Sequence, residues 1–164
     1  MKRAVAVLAT VALLASLGTA VLVWRLSATS EPHLPEISAF SNGHLTRVGP
    51  YRLCEVLNPT DCVVPAQQGE LPVTGRHPVQ LSVPQEVERA PWVLLRAFED
   101  GDRIDEFRPD TRLAVTIPTV DPQLGRLTGF AVQLPTLVRD EEGNEFPVPH
   151  AEWSVRTHWD QRAE

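Results

Sequence analysis

One uncharged apolar segment constrains this chain more than any other feature of its sequence. Residues 4–24 carry no charge, follow Lys2 and Arg3, and precede Arg25. As an α-helix rising about 1.5 Å per residue, this segment would be roughly 31 Å long, which matches the ~30 Å hydrocarbon core of a bilayer. Its five leucines and five valines favour insertion. The sequence therefore predicts a single transmembrane helix over residues 1–25.

A cleaved signal peptide is the alternative interpretation of this segment. The small residues Gly18, Thr19 and Ala20 form the best candidate cleavage site. Cleavage there would leave an apolar new terminus, and the segment is longer than the about 7–15 apolar residues usual in a signal peptide. We therefore expect an uncleaved anchor, while cleavage stays open as the alternative.

Charges beside the anchor predict its orientation. Lys2 and Arg3 precede it and only Arg25 follows it closely, so the positive-inside rule places the amino end in the cytoplasm. The polar, proline-containing residues 26–35 would then form a flexible tether to a domain over residues 36–160, with residues 161–164 as a frayed end. We expect a single-pass protein of the cell membrane with an extracytoplasmic domain.

The two cysteines bear separately on the compartment. Cys54 and Cys62 are eight residues apart and flank Asn58-Pro59-Thr60-Asp61, a sequence typical of a turn. We predict a disulfide between them, and a disulfide requires an oxidising compartment. Two buried free thiols, or half of a metal site, are the alternatives.

The charge of the domain excludes one class of partner. Apart from Lys2, Arg3 and Arg25, the chain has 12 basic residues against 21 acidic ones, a formal charge of −9. An acidic domain repels a phosphate backbone, so we exclude nucleic acid as a partner.

Short alternating segments predict that the domain is all-β. Ile37–Ser41 and Leu45–Val48 flank Asn42-Gly43, the favoured centre of a type I′ hairpin turn. The other segments with this pattern are Val79–Val83, Leu113–Ile117, Phe130–Leu134 and Ala151–Thr157. The segment Trp92–Phe98 is apolar on both faces and predicts a central strand. We expect the segment Phe130–Leu134 to stop at Pro135. Short strands separated by turn residues are typical of an antiparallel β-sandwich, with a twisted barrel as the alternative.

Five large apolar side chains are the predicted core of this sandwich: Trp92, Leu94, Phe130, Val132 and Trp153. Trp92 begins a segment that is apolar on both faces, and it resembles the core tryptophan of immunoglobulin-like domains. The two cysteines are too close in sequence to link two sheets, so only the architecture carries over. We predict an immunoglobulin-like antiparallel β-sandwich preceded by one N-terminal transmembrane helix.

Several segments of the domain resemble an actinobacterial family of exported or membrane-anchored proteins known as domain of unknown function 2771. These segments are Val48–Val56, Cys62, Gly69–Val73, Val79–Pro84, Pro91–Leu95 and Trp153. The resemblance covers residues 36–159 and rests on structural motifs. It implies an envelope location in mycobacterium-like bacteria and a short-range disulfide, and it carries no catalytic residues.

No pattern of catalytic residues is recognisable in the sequence. The chain has no Gly-x-Ser-x-Gly motif, and its five histidines form no His-Glu-x-x-His motif. The acidic clusters Glu99–Glu106 and Asp140–Glu145 are best interpreted as solvated turns. We therefore predict no catalytic site, no metal site and no cofactor.

Small residues in the anchor predict a docking face. Ala12, Ser16 and Ala20 lie four residues apart, and in a helix they would let a partner helix approach closely. From the anchor and the missing catalytic pattern, we predict a non-enzymatic accessory or assembly protein of the actinobacterial cell envelope. It would dock on an integral membrane protein or complex.

Two other functions are alternatives to this prediction. The first is a sandwich that binds a lipid or a glycan in a cavity lined by Trp92, Phe98, Phe130 or Trp153. The second is an unrecognised envelope hydrolase, in which carboxylates or histidines would converge in a cleft.

Overall fold

The chain consists of two units, residues 1–33 and residues 34–164. The computed structural model describes residues 2–28, 34–56, 58 and 60–159; in the first helix, it describes the side chains of residues 11–25 and 27. The first unit contains one helix, α1, over Lys2–Ala28, which includes the whole apolar segment.

The second unit is built almost entirely of strands. They are β1 Ile37–Ser41, β2 His44–Val48, β3 Arg52–Cys54, β4 Cys62–Val63, β5 Gln68–Val73, β6 Val79–Ser82, β7 Trp92–Phe98, β8 Gly101–Phe107, β9 Ala114–Ile117, β10 Val120–Asp121, β11 Gly125–Arg139 and β12 Glu145–Trp159. A single helical turn, α2, spans Gln85–Glu88. The predicted all-β class of the domain is therefore confirmed.

The strands form two sheets. The first sheet has the order β2-β1-β6-β9, and the second has the order β4-β3-β12-β11-β7-β8. In addition, β10 pairs with β11, and β5 pairs with the last residues of β12. Every pairing between strands is antiparallel except that of β5 with β12, which is parallel. The sequence pattern contained no sign of this parallel pair.

The first hairpin forms as its turn sequence predicts. Strand β1 pairs with β2 so that Ser41 lies opposite His44, which leaves Asn42 and Gly43 as the two turn residues. Both have positive φ, 46° and 83°. A type I′ turn requires this conformation, which asparagine and glycine adopt at low cost.

One strand is longer than its sequence predicts. We expected the strand that begins near Phe130 to stop at Pro135, but β11 continues to Arg139. A register shift falls between Leu134 and Pro135, and β7 pairs with β11 only as far as Gln133. Proline is tolerated at such a bulge and beside a free edge, because no ladder hydrogen bond is lost there.

The predicted core residues lie in one buried cluster. Trp92, Leu94, Phe130, Val132 and Trp153 are at most 3% exposed and pack with apolar side chains of both sheets. The indole Nε1 of Trp153 donates a hydrogen bond of 2.7 Å to the carbonyl oxygen of Pro35. Trp92 stacks on Phe107 with ring centroids 4.1 Å apart, and its buried Nε1 has no hydrogen-bond partner in the described part of the chain.

The two buried tryptophans should respond differently to the same substitution. Trp153→Phe breaks a hydrogen bond and leaves the Pro35 carbonyl unpaired, whereas Trp92→Phe removes a donor that has no acceptor. We therefore expect Trp153→Phe to cost about 1–2 kcal/mol more than Trp92→Phe in the free energy of unfolding. Chemical denaturation of both variants measures this difference, and equal losses would contradict it.

Candidate functional site

Three of the small residues of α1 lie on one face of the helix. Ala12, Ser16 and Ala20 follow each other at one-turn spacing. The hydroxyl of Ser16 donates to the carbonyl oxygen of Ala12 at 2.8 Å, and that of Thr19 donates to the carbonyl oxygen of Ala15 at 2.9 Å. Because both hydroxyls are satisfied within the helix, this face is compact and needs no water.

Most of the rest of the described helix surface is apolar, with Arg25 and Ser27 as polar residues near its end. Eight large side chains are 50–71% exposed: Val11, Leu13, Leu14, Leu17, Val21, Leu22, Val23 and Trp24. Within the part of the chain that the structure describes, no helix is both long enough and apolar enough to cross a membrane.

The predicted disulfide is confirmed. Cys54 at the end of β3 lies directly opposite Cys62 at the start of β4, and their sulfur atoms are bonded. Cys54 is 6% exposed and belongs to the buried residues. The disulfide therefore closes the loop between β3 and β4 and holds the short β4 on the edge of the second sheet.

A shallow groove of about 520 Å³ runs beside the disulfide. Its lining combines apolar side chains with one histidine and two carboxylates: Leu53, Cys54, Glu55, Val56, Asp61, Val63 and His150. Among the described residues, no hydroxyl or free thiol lines the groove, and both cysteines of the chain are oxidised. Its titratable side chains are the carboxylates of Glu55 and Asp61 and the imidazole of His150.

His150 is the titratable group of this groove with a shifted pKa. Burial lowers the pKa of its imidazole, and a hydrogen bond to the backbone of Leu134 partly opposes this effect. Its Nδ1 is buried and has no hydrogen-bond partner in the described part of the chain. The ring lies where the register of β11 and β12 shifts, between Pro149 and Ala151.

Beyond that shift, β11 and β12 continue as a two-stranded hairpin, which we call the β-arm, residues 135–149. Leu137 and Phe146 on the β-arm are 67% and 44% exposed. At its tip, Asp140 accepts hydrogen bonds from the backbone amides of Glu142 and Asn144 and from the Asn144 side chain. These bonds, led by that of the Asn144 side chain, lower the pKa of Asp140.

The two acidic clusters of the sequence lie at hairpins: Glu99 and Asp100 are on the turn before β8, whereas Asp102, Asp105 and Glu106 of the first cluster belong to β8 itself, which corrects the interpretation of that cluster as a turn. In the first cluster, the Glu99 carboxylate accepts a hydrogen bond from the Arg126 amide at 3.0 Å. Nearby, the amide of Gln123 and the guanidinium of Arg103 lower the pKa of Asp121. The second cluster forms the tip of the β-arm. Across the described ranges, no three His, Cys, Asp or Glu side chains are placed to share a metal ion.

The aromatic residues proposed to line a ligand cavity lie in the core. Trp92, Phe98, Phe130 and Trp153 are at most 5% exposed and pack in the same cluster. The structure does bring these four residues together, but they pack together in the core and do not line a common cavity. This arrangement gives no support to a lipid or glycan site between the sheets.

Comparison with known proteins identifies relatives along nearly the whole chain. The family described as "Protein of unknown function (DUF2771)" matches residues 30–158. Uncharacterized proteins from Mycobacterium tuberculosis and Mycobacterium bovis are 57% identical to this chain over 159 residues, which is 95% of this chain and 98% of theirs. No solved structure matches the chain significantly.

The buried His150 should make the stability of the domain depend on pH. Because its pKa is lowered in the folded state, the unfolded chain takes up a proton first as the pH falls below about 6.5. The free energy of unfolding should therefore fall from that pH down to the lowered pKa, and His150→Gln should make this fall shallower. Denaturant titrations between pH 7.5 and pH 5 measure it.

His44→Gln is the matched control for this experiment, because His44 is exposed in β2. It should keep the pH dependence of the unsubstituted protein. The prediction is wrong if the free energy of unfolding falls equally in His150→Gln and in the unsubstituted protein between pH 7.5 and pH 5.

Proposed function

This chain belongs to the DUF2771 family, and from that premise we propose a function: a membrane-anchored, non-enzymatic accessory or assembly protein of the cell envelope. In this proposal, α1 is an uncleaved anchor with its amino end in the cytoplasm. The β domain lies outside the cytoplasm, and the protein docks on an integral membrane protein or complex.

The surface of α1 is the observation that carries the proposal. Large apolar side chains project from most of the described helix surface, and Ala12, Ser16 and Ala20 add a row of small residues along one side. A helix that is apolar all round is stable when lipid or protein surrounds it. Small residues on one side favour close approach of a second helix, because packing and not hydrophobicity drives association in lipid.

The alignment with the mycobacterial relatives extends into the helix. The match to the family begins at residue 30, but the alignment with the mycobacterial relatives covers 95% of this chain. At most about eight residues therefore lie outside that alignment, so it includes most of the 27 residues of α1. An anchor requires such a segment beside the domain, and a signal peptide would require it as well.

The β domain supports the proposed compartment. Its disulfide is stable in an oxidising environment, which for a bacterial protein lies outside the cytoplasm.

We also infer that the sandwich is of the immunoglobulin-like kind. In the second sheet, the last two strands of the chain lie beside the strand that begins with Trp92, in the order β12-β11-β7-β8. This order corresponds to the G, F, C and C′ strands of immunoglobulin domains, in which strand C carries the core tryptophan. The disulfide differs, because it is local and does not join the two sheets.

A substitution on the small face of α1 tests the docking proposal. Ser16→Leu places a large side chain where the partner helix would approach, while it keeps the segment apolar. We expect recovery of a co-purifying membrane protein to fall several-fold when the full-length protein is extracted in mild detergent. Quantitative mass spectrometry of the purified material measures this recovery.

Gly18→Leu is the matched control, because Gly18 lies about 200° around the helix from Ser16 and a Cβ atom added there would meet no other side chain within 4 Å. This variant should retain the partner and the membrane fraction. Unchanged recovery with Ser16→Leu, or equal losses with both variants, would argue against a docking face at Ala12, Ser16 and Ala20.

A further inference from the structure

An arginine occupies an inward-facing position of a central strand. Along β7, the buried residues Trp92, Leu94 and Phe98 alternate with outward-facing residues, and Arg96 has the same parity as the buried ones. In the neighbouring β11, the residue opposite Arg96 is the buried Phe130. The Arg96 side chain is only 15% exposed. Burial of a cation beside the core costs free energy, so its interactions require an explanation.

The chain itself satisfies this cation incompletely. Nη2 of Arg96 lies 2.5 Å from Oδ2 of Asp105, whose side chain is 39% exposed. The buried Nε of Arg96 has no hydrogen-bond partner among the described residues. Arg103, which lies directly opposite Arg96 in β8, binds Asp121 and Gln123 instead. Asp105 therefore occupies one nitrogen of a guanidinium that can bind a carboxylate with two.

Arg96 lies at the base of a groove between the two sheets, which we call the edge groove. The groove has a volume of about 450 Å³ and is lined by Arg96, Asp105, Phe107, Arg112, Ala114, Val115 and Thr116. One wall is β8, the outermost strand of the second sheet, and the other is β9, the outermost strand of the first. The groove thus opens where neither sheet has a further strand.

The charge of the edge groove differs in sign from that of the domain. Two arginines and one aspartate line it, whereas the chain beyond Arg25 carries a formal charge of −9. Phe107, Ala114 and Val115 add apolar surface to a lining that is otherwise polar or charged. A site with a buried cation and some apolar surface suits a small ligand that has an anionic end and a short apolar part.

We propose that the edge groove binds an oxyanion, a carboxylate or a phosphate, between Arg96 and Arg112. The oxyanion competes with Asp105 for the Arg96 guanidinium, while the walls accept an aliphatic part of the ligand. This proposal rests on the β domain alone and is independent of the proposed role of the anchor.

The test uses the isotope-labelled full-length protein in a nonionic detergent and three probes. Hexanoate presents a carboxylate with an apolar tail, inorganic phosphate presents an oxyanion without one, and hexanol presents the tail without charge. The Nε–Hε signal of Arg96 in a nitrogen-resolved NMR spectrum reports binding at the groove. We expect a saturable shift with hexanoate or phosphate and none with hexanol.

Substitutions of Arg112 and Asp105, which line the groove together with Arg96, should change the affinity for the oxyanion in opposite directions. Arg112→Gln removes an exposed cation from the groove and should weaken binding of the oxyanion about five- to tenfold. Asp105→Asn removes the competing carboxylate and should strengthen binding by about the same factor. Arg96→Lys keeps the charge but loses the two-pronged geometry, so it should weaken binding more than tenfold. In this variant, signals of Phe107 and Val115 report binding.

Arg108→Gln is the matched control, because Arg108 directly follows β8 but does not line the groove. It loses the same charge as Arg112→Gln and should leave the affinity unchanged. Thermal unfolding without ligand verifies that each variant is folded, and the exposed Arg112→Gln carries the test if Asp105→Asn or Arg96→Lys is unstable.

The relative affinities of the probes distinguish the sources of the ligand. Tighter binding of hexanoate indicates an acyl carboxylate, and tighter binding of phosphate indicates a free or esterified phosphate. Three results would overturn the proposal: no saturable shift with either anion, hexanol binding as tightly as hexanoate, or equal weakening by Arg108→Gln and Arg112→Gln.

Discussion

The pairing of β11 with β12 is the interaction on which the rest of the domain depends. Eleven residues of each strand lie opposite one another, from Gly129 with Arg156 to Arg139 with Glu145. Strand β7 pairs with the free side of β11, and β3 and β5 share the free side of β12. Gly129 is needed here, because a Cβ atom at this position would lie 2.8 Å from the Val155 carbonyl oxygen. The central hairpin thus provides the edges to which every other strand of its sheet is added, directly or through a neighbour.

Much of this architecture follows from local sequence, and the remainder depends on contacts between distant segments. The Asn42-Gly43 turn follows from turn chemistry, and the strand at Trp92–Phe98 follows from a short apolar segment that ends at a turn; the structure has both at the expected residues. The extension of β11 past Pro135 does not, because proline is a poor strand residue unless a bulge or a free edge accepts it. The parallel pairing of β5 with β12 joins segments more than eighty residues apart, and no local pattern encodes it.

The candidate sites also differ in whether local sequence predicts them. The disulfide could be predicted because its two cysteines flank a turn within one short loop. The edge groove could not, because Arg96 stands in an apolar segment and its neighbours come from β8, β9 and the loop that contains Arg112. The signal that could have revealed the groove is a charged residue at an inward-facing position. Arg96 has this position, because it has the same parity along the strand as Trp92, Leu94 and Phe98. Sequence reasoning described that segment as apolar on both faces and so overlooked the exception.

The prolines of the β-arm affect how this protein behaves at high local concentration. Pro135 lies opposite Pro149, and Leu137 lies opposite Pro147. Each proline removes one backbone donor from a hairpin whose exposed strands would otherwise recruit further strands. Together with the acidic tip, they oppose self-assembly of the β-arm into extended sheets, even though Leu137 and Phe146 are exposed. Copies crowded on a surface can therefore present these two apolar side chains without aggregating through them.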